Sequence, residues 1–210
     1  MKNTLLFIII ALNTLWARAD GVTPKLTIYN QFKPAIIQLA DGRKLKQPLA
    51  NIFLKNSNLL YVSGSITKEA NLSTIVSVDF DDRHYVKIDT LLAWQVDTVG
   101  NNALYCASVI DLPAYYALLR NNKQLTNLEI STMVQTATID LEDEEDIHFP
   151  VVDLYFYRIN GTFVKAHERN LQRLLNKEER RMLKTFVTEP SFSWTDPKSL
   201  MRLLRSITTH

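Results

Sequence analysis

The stretch PAIIQLADGRKLKQPLANIFLKNSNLLYV, residues 34 to 62, decides the fold. Ile37, Leu39 and, beyond the turn, Leu45 are separated by polar or small residues. A period of two puts one face of a strand into a core. Asp41-Gly42 lies between two such runs. Glycine takes a positive φ at no steric cost, so Asp-Gly between apolar runs predicts a tight hairpin. Arg43, Lys44 and Lys46 follow, and charge at a sheet edge discourages unwanted pairing. Pro48 has no N–H to give a ladder, so the second strand bends, bulges or ends there. Ile52, Phe53 and Leu54 restart the apolar pattern, Asn56 to Asn58 turn the chain, and Leu59 to Val62 form a third strand.

The same reading extends in both directions. Lys25 to Gln31, with Leu26 and Ile28 alternating, predicts a strand before the hairpin. Thr74 to Phe80 alternates, with Val76, Val78 and Phe80 on one face and Ile75, Ser77 and Asp79 on the other. Asp81-Asp82 turns the chain, and Arg83 to Ile88 returns with Tyr85 or Val86 inward. Leu91 to Val96 and Leu104 to Ile110 flank a turn at Gly100-Asn101-Asn102. Many short strands at near-regular spacing predict a small SH3-like barrel or sandwich over residues 20 to 110.

Beyond Ile110 the period changes. Asp111 caps a helix that Pro113 opens. Two strands are expected at 125 to 130 and 134 to 139, and Glu142 to Asp146 is a solvated acidic loop. Val151 to Tyr157 is a strand, Asn160-Gly161 a second hairpin turn, and Thr162 to Ala166 the return. Leu171, Leu174 and Leu175 begin a helical stripe, and Met182, Leu183, Phe186 and Val187 continue it until Pro190. Thr195 or Asp196 caps a last helix carrying Leu200, Leu203, Leu204 and Ile207. The expected class is α+β, mainly antiparallel β, with residues 111 to 210 an α+β region ending in two or three helices.

Lys2, an apolar run from Leu5 to Trp16 and Ala17-Arg18-Ala19 read as a secretory signal peptide with cleavage before Asp20, the alternative being an N-terminal membrane anchor. The run is too short to span a bilayer. The expected address is the periplasm or the exterior, with no lipid anchor, since no cysteine follows the run, and no transmembrane segment after cleavage. Removing Lys2 and Arg18 leaves 22 basic against 22 acidic residues, unevenly placed. Residues 158 to 210 carry 11 basic and 5 acidic side chains, and residues 20 to 157 carry 11 and 17. Such asymmetry marks an interaction surface or two parts that neutralise each other. Cys106 is the only cysteine. The fold therefore has no internal disulfide to rest on, and Cys106 is expected as a small buried hydrophobe.

Two segments carry a resemblance. IIQLADGRKLKQPLANIFLKNSNLLYV with LSTIVSVDF, between residues 36 and 80, is similar to a modular β-unit of exported Bacteroidota-type proteins and resembles a small SH3-like barrel. LYFYRINGTFVKAHERNLQRLLNKEERRMLKTFVTEPSFSWTDPKSLMRLLRSI, 154 to 207, resembles the end of uncharacterised secreted proteins in which a hairpin precedes two or three helices. The resemblance implies an exported address and this architecture, and it brings no site residues with it.

Three groups of residues invite chemistry. Asp79 and Asp81, two apart, share a face if the strand continues, with Asp82 and His84 beside them; carboxylates so placed bind a hard cation or act as an acid/base pair. The plainer alternative is a charged hairpin tip. Glu142 to Asp146 with His148 lacks the interleaved Gly or Asn of a calcium loop. His167-Glu168-Arg169 is not H-E-x-x-H, because position 171 is Leu, and fits a helix start with Glu168 against the dipole. With five glycines in the chain, phosphate-cradling and dinucleotide loops are absent, and no G-x-S-x-G is present. No cofactor or metal is expected. Arg169, Arg173, Lys177, Arg180, Arg181 and Lys184 form a basic helical face. Export argues against nucleic acid as its partner and for an acidic protein or anionic envelope surface; a solvated face paired with Glu178 and Glu179 is the simpler alternative. Asp89-Thr90-Leu91 and Asp97-Thr98-Val99 also fit a short acceptor pattern for bacterial O-glycosylation.

The sequence thus points to an exported, non-enzymatic binding or envelope-associated module, with Arg173, Arg180, Arg181 and Lys184 as interaction residues. The alternative is a carboxylate-dependent hydrolase of an envelope or dietary polymer, built on Asp79, Asp81 and His84.

Overall fold

A computed structural model describes residues 21–23, 26–121 and 149–208. The segment read as a secretory signal, both strands expected between 125 and 139, the acidic run and His148 lie outside the described residues. The strands are β1 (Gly21–Thr23), β2 (Lys33–Leu39), β3 (Lys44–Phe53), β4 (Asn58–Ser63), β5 (Ile66–Glu69), β6 (Ile75–Asp79), β7 (His84–Ile88), β8 (Leu91–Val99), β9 (Asn102–Ile110), β10 (Phe149–Ile159) and β11 (Thr162–Lys165). The helices are α1 (Leu112–Asn121), α2 (Glu168–Leu171), α3 (Lys177–Val187) and α4 (Pro197–Thr208).

All eleven strands join one antiparallel sheet, in the order β1-β10-β9-β8-β7-β6-β2-β3-β4-β5, with β11 also against β10. The expected closed SH3-like barrel is not what this pairing gives, because the path is open. β9 pairs with β10 from Ala103↔Arg158 to Ile110↔Val151, so the boundary placed at residue 110 falls between two strands of one sheet.

The hairpin that opens the sheet forms for the reason expected. Gly42 takes φ +87°, its N–H donates to the Leu39 carbonyl at 3.0 Å, and Asp41 accepts from the Arg43 backbone and side chain. β3 runs through Pro48, where the register against β2 shifts between Lys33↔Ala50 and Ala35↔Gln47. A bulge there spares the ladder a donor that proline lacks. At the second hairpin Asn160 and Gly161 take φ +50° and +81°, the two left-handed positions of a type I′ turn.

The strands β2, β3, β4, β6, β7 and β8 curl around Ala35, Ile37, Ile52, Leu59, Ile75, Val78, Phe80, Tyr85 and Leu92. Backbone contacts instead of a ladder hold the curl. Leu92 N–H donates to the Ser57 carbonyl at 2.9 Å and Ile110 N–H to the Leu54 carbonyl at 2.8 Å. Ser57 Oγ donates back to the Leu92 carbonyl at 2.6 Å. The strand expected at 25 to 31 is reduced to a bridge at Thr27↔Phe53, flanked by Ile28 N–H to Ile52 and Leu54 N–H to Leu26.

β8, β9 and β10 extend past the curl, and helices cover one face of this extension. Leu104, Cys106, Tyr155, Tyr157 and Ile159 meet Leu171, Leu175, Leu183, Leu200, Leu203, Leu204 and Ile207. Asp196 caps α4 by accepting from Ser199 N–H and Oγ, which fixes where its leucine stripe begins. Each fully buried leucine contributes about 1.5–3 kcal/mol of transfer free energy. Tyr157 is buried with its hydroxyl donating to the Leu200 carbonyl at 2.9 Å, a bond that ties α4 to the sheet. Ala93, Ala103, Tyr105 and Ala107 are buried on the opposite face, so β9 reads as a continuous buried run. Cys106 is a buried free thiol.

Candidate functional site

The described residues include the acidic hairpin group, His167-Glu168-Arg169 and the basic helical face. The acidic group lies at the β6–β7 hairpin. β6 ends at Asp79, and Asp81 and Asp82 belong to the turn, so Asp79 and Asp81 do not share a strand face as expected. The turn begins where Phe80 N–H donates to the Arg83 carbonyl. Asp79 faces its cross-strand partner His84, with Oδ1 and Nδ1 2.5 Å apart. The two side chains are 47% and 45% exposed, and that of Asp81 is 73% exposed. Asp79 thus takes His84, whereas Asp81 and Asp82 share Lys33 at 2.6 and 3.0 Å. A paired acid and base acting on one bond requires convergence, and this hairpin lacks it. Among the described residues no group of three His, Cys, Asp or Glu side chains could hold a metal.

The turn is instead tied into a cluster of charged and aromatic side chains that the sequence did not reveal. Asp82 Oδ1 accepts from the Tyr29 hydroxyl and from Lys33 Nζ, each at 3.0 Å. The Lys33 ammonium lies 4.4 Å from the Tyr29 ring centre, and the Arg83 guanidinium 4.7 Å from that of Trp94. Tyr29 packs on Phe80, and Phe80 on Tyr85. Burial alone would raise the Asp82 pKa, but the hydrogen bonds from Lys33 and Tyr29 and the Lys33 charge outweigh it and hold the carboxyl below its usual value. Hydrogen bonding to Asp81 raises Lys33. Burial pushes the Tyr29 and Tyr85 hydroxyls up, so both stay protonated. The buried Tyr85 hydroxyl interacts with the Tyr29 hydroxyl and the Arg83 guanidinium, though neither meets hydrogen-bond geometry. Every charge of the turn thus has a local structural task. Tyr29 and Asp82 lie 53 residues apart, and no local pattern announces such a pair.

The basic group lies on α2, α3 and the turn between them. His167 caps α2 by accepting from Arg169 N–H and stacks on Trp194, as its place at a helix start implied. Asn176 caps α3 in a reciprocal capping box with Glu179. The Glu179 carboxylate turns back to accept the Asn176 N–H at 2.7 Å, which withdraws it from the helical face where the sequence paired it with a cation. Arg180 Nε donates to the Leu175 carbonyl at 2.8 Å. Arg180 therefore secures the α2–α3 turn and is less available to a partner than its neighbours. Lys177, Arg181 and Lys184 stand at i, i+4 and i+7, one stripe of an α-helix, and all three are exposed, on the side away from buried Leu183. Arg169 and Arg173 are exposed ahead of them.

The contrast with α4 is sharp. There Arg202 pairs with Glu189 at 2.7 Å and Arg205 with Asp97 at 3.2 Å. Among the described residues Arg169, Arg173, Lys177, Arg181 and Lys184 make no ion pair. Like charges at i,i+3 and i,i+4 destabilise a helix by about 0.2–0.5 kcal/mol each, so α3 carries a self-repelling stripe. No helix among the described residues is long and apolar enough to cross a membrane. Comparison with family models, with curated proteins and with solved structures finds no match for the chain.

Proposed function

We propose that the protein is an exported, non-enzymatic binding module that docks an anionic envelope partner through the flank of α3. The observation that supports this most is the stripe Lys177, Arg181 and Lys184, which among the described residues makes no ion pair, beside a helix whose arginines are paired. A row of cations that costs helix stability gains a use when negative charge meets it. The curled half of the sheet is read as an opened SH3-like unit whose seam, at Ser57–Leu92 and Leu54–Ile110, is held by point contacts. It serves as the scaffold, and the helical layer carries the contact. The hydrolase alternative draws no support from Asp79 and Asp81, which engage His84 and Lys33. The test is capture from envelope extracts with the wild-type chain and with a Lys177→Glu/Arg181→Glu/Lys184→Glu variant, at low and high salt. Salt-sensitive capture that the variant loses is the expected outcome, and an unchanged set of captured material refutes it.

A further inference from the structure

We infer that the anionic partner of the α3 flank is a bilayer surface bearing phosphodiester headgroups; the inference deepens the proposed function and rests on it. The cations stand on the outside of a helix, with long flexible side chains. A protein partner of good affinity is held by aromatic and arginine anchors seated in desolvated pockets. The stripe offers no aromatic anchor: its exposed apolar member is Leu174, 40% exposed beside Arg173. A fluid headgroup layer needs no shape complementarity, since each phosphate moves to meet a cation, and attraction accumulates charge by charge. The apolar side of α3, Leu183 with Phe186 and Val187, is taken up by the core, so the attachment is peripheral and electrostatic, with Leu174 an exposed aliphatic chain just ahead of the stripe. The capping box and the Arg180–Leu175 bond fix the α2–α3 turn, so Arg173 and Leu174 are held at the start of the stripe. The like charges that repel one another in water would there be neutralised together.

Each cation at an anionic surface strengthens attachment about fivefold. The test is co-sedimentation of the full chain with sucrose-loaded vesicles of phosphatidylcholine alone and of phosphatidylcholine with one-third phosphatidylglycerol. Vesicles of phosphatidylcholine alone report any contribution from the apolar residues 5–16. The wild type is expected to bind the phosphatidylglycerol vesicles and to release them at high salt. Lys177→Gln/Arg181→Gln/Lys184→Gln is expected to bind about a hundredfold more weakly. Arg202→Gln/Arg205→Gln, which removes two paired cations, is expected to bind within a few fold of wild type. Far-UV circular dichroism and a cooperative urea transition show that the variants are folded. Equal losses in both variants overturn the assignment to the stripe. If the phosphatidylglycerol vesicles do not bind, but immobilised polyglutamate retains the wild type and not the triple variant, the lipid inference is overturned and the basic flank stands. If neither is bound, both fall.

Discussion

Ser57→Ala tests how the curled sheet is held together. Ser57 is 1% exposed and takes φ +53°. Its carbonyl accepts the Leu92 N–H and its Oγ donates to the Leu92 carbonyl at 2.6 Å. Alanine keeps the Cβ, the left-handed backbone cost and the main-chain bond, and removes only the hydroxyl. In a site closed to water that loss is worth about 1–3 kcal/mol. Ser57→Gly loses the same bond but relieves about 1 kcal/mol of left-handed strain. The expected order of stability is therefore wild type, then Gly, then Ala. Urea unfolding followed by fluorescence of the three tryptophans reads it as a fall in midpoint at constant slope. An alanine variant within about 0.5 kcal/mol of wild type, or one more stable than the glycine variant, refutes the idea that Ser57 holds the seam.

Four further outcomes follow from the same structure. Asp82, held below its usual pKa by Lys33 and Tyr29, stabilises the fold above the unfolded carboxylate value near ~3.9 and loses that contribution as pH falls through the depressed folded value. Asp82→Asn therefore flattens the acid limb of a urea-midpoint profile, and an unchanged limb contradicts this. Asn176→Ala removes the α3 cap and lowers stability by about 1 kcal/mol, measured by denaturation. Lys177→Gln relieves repulsion with Arg180 and Arg181 and removes a cation from the first turn of α3, so its midpoint rises by a few tenths of a kcal/mol at low salt and the gain fades at high salt. Cys106, buried and with its thiol pKa pushed up by that burial, stays inert to a thiol reagent in the native state and reacts in urea.

Local turn chemistry made much of this fold legible. Asp41-Gly42 and Asn160-Gly161 announce their hairpins because a positive φ needs few residue types. The spacing of Leu200, Leu203, Leu204 and Ile207 announces the buried face of α4. What could not be read depends on distant partners. Leu26 and Ile28 alternate like a strand, but their neighbours across the sheet bond them at a few points only. The Ser57–Leu92 seam joins residues 35 apart and holds the curl at points, where the repeating turns implied continuous strand pairing. Asp79 and Asp81 share a face only if the strand continues, and it ends at Asp79. The basic stripe was visible from its period, but which cations are spent internally was not. Arg180 and Glu179 are engaged by backbone groups at the α3 N-terminus, and Arg205 by Asp97, 108 residues away.

The most direct test is to locate the contact on the chain. Amide chemical shifts, followed by NMR while a short-chain phosphatidylglycerol below its micelle concentration is added, should move at Arg173, Lys177, Arg181 and Lys184 and recover with salt. Shifts confined to Asp79, Asp81 and His84, or none along α3, would contradict a binding role for that helix.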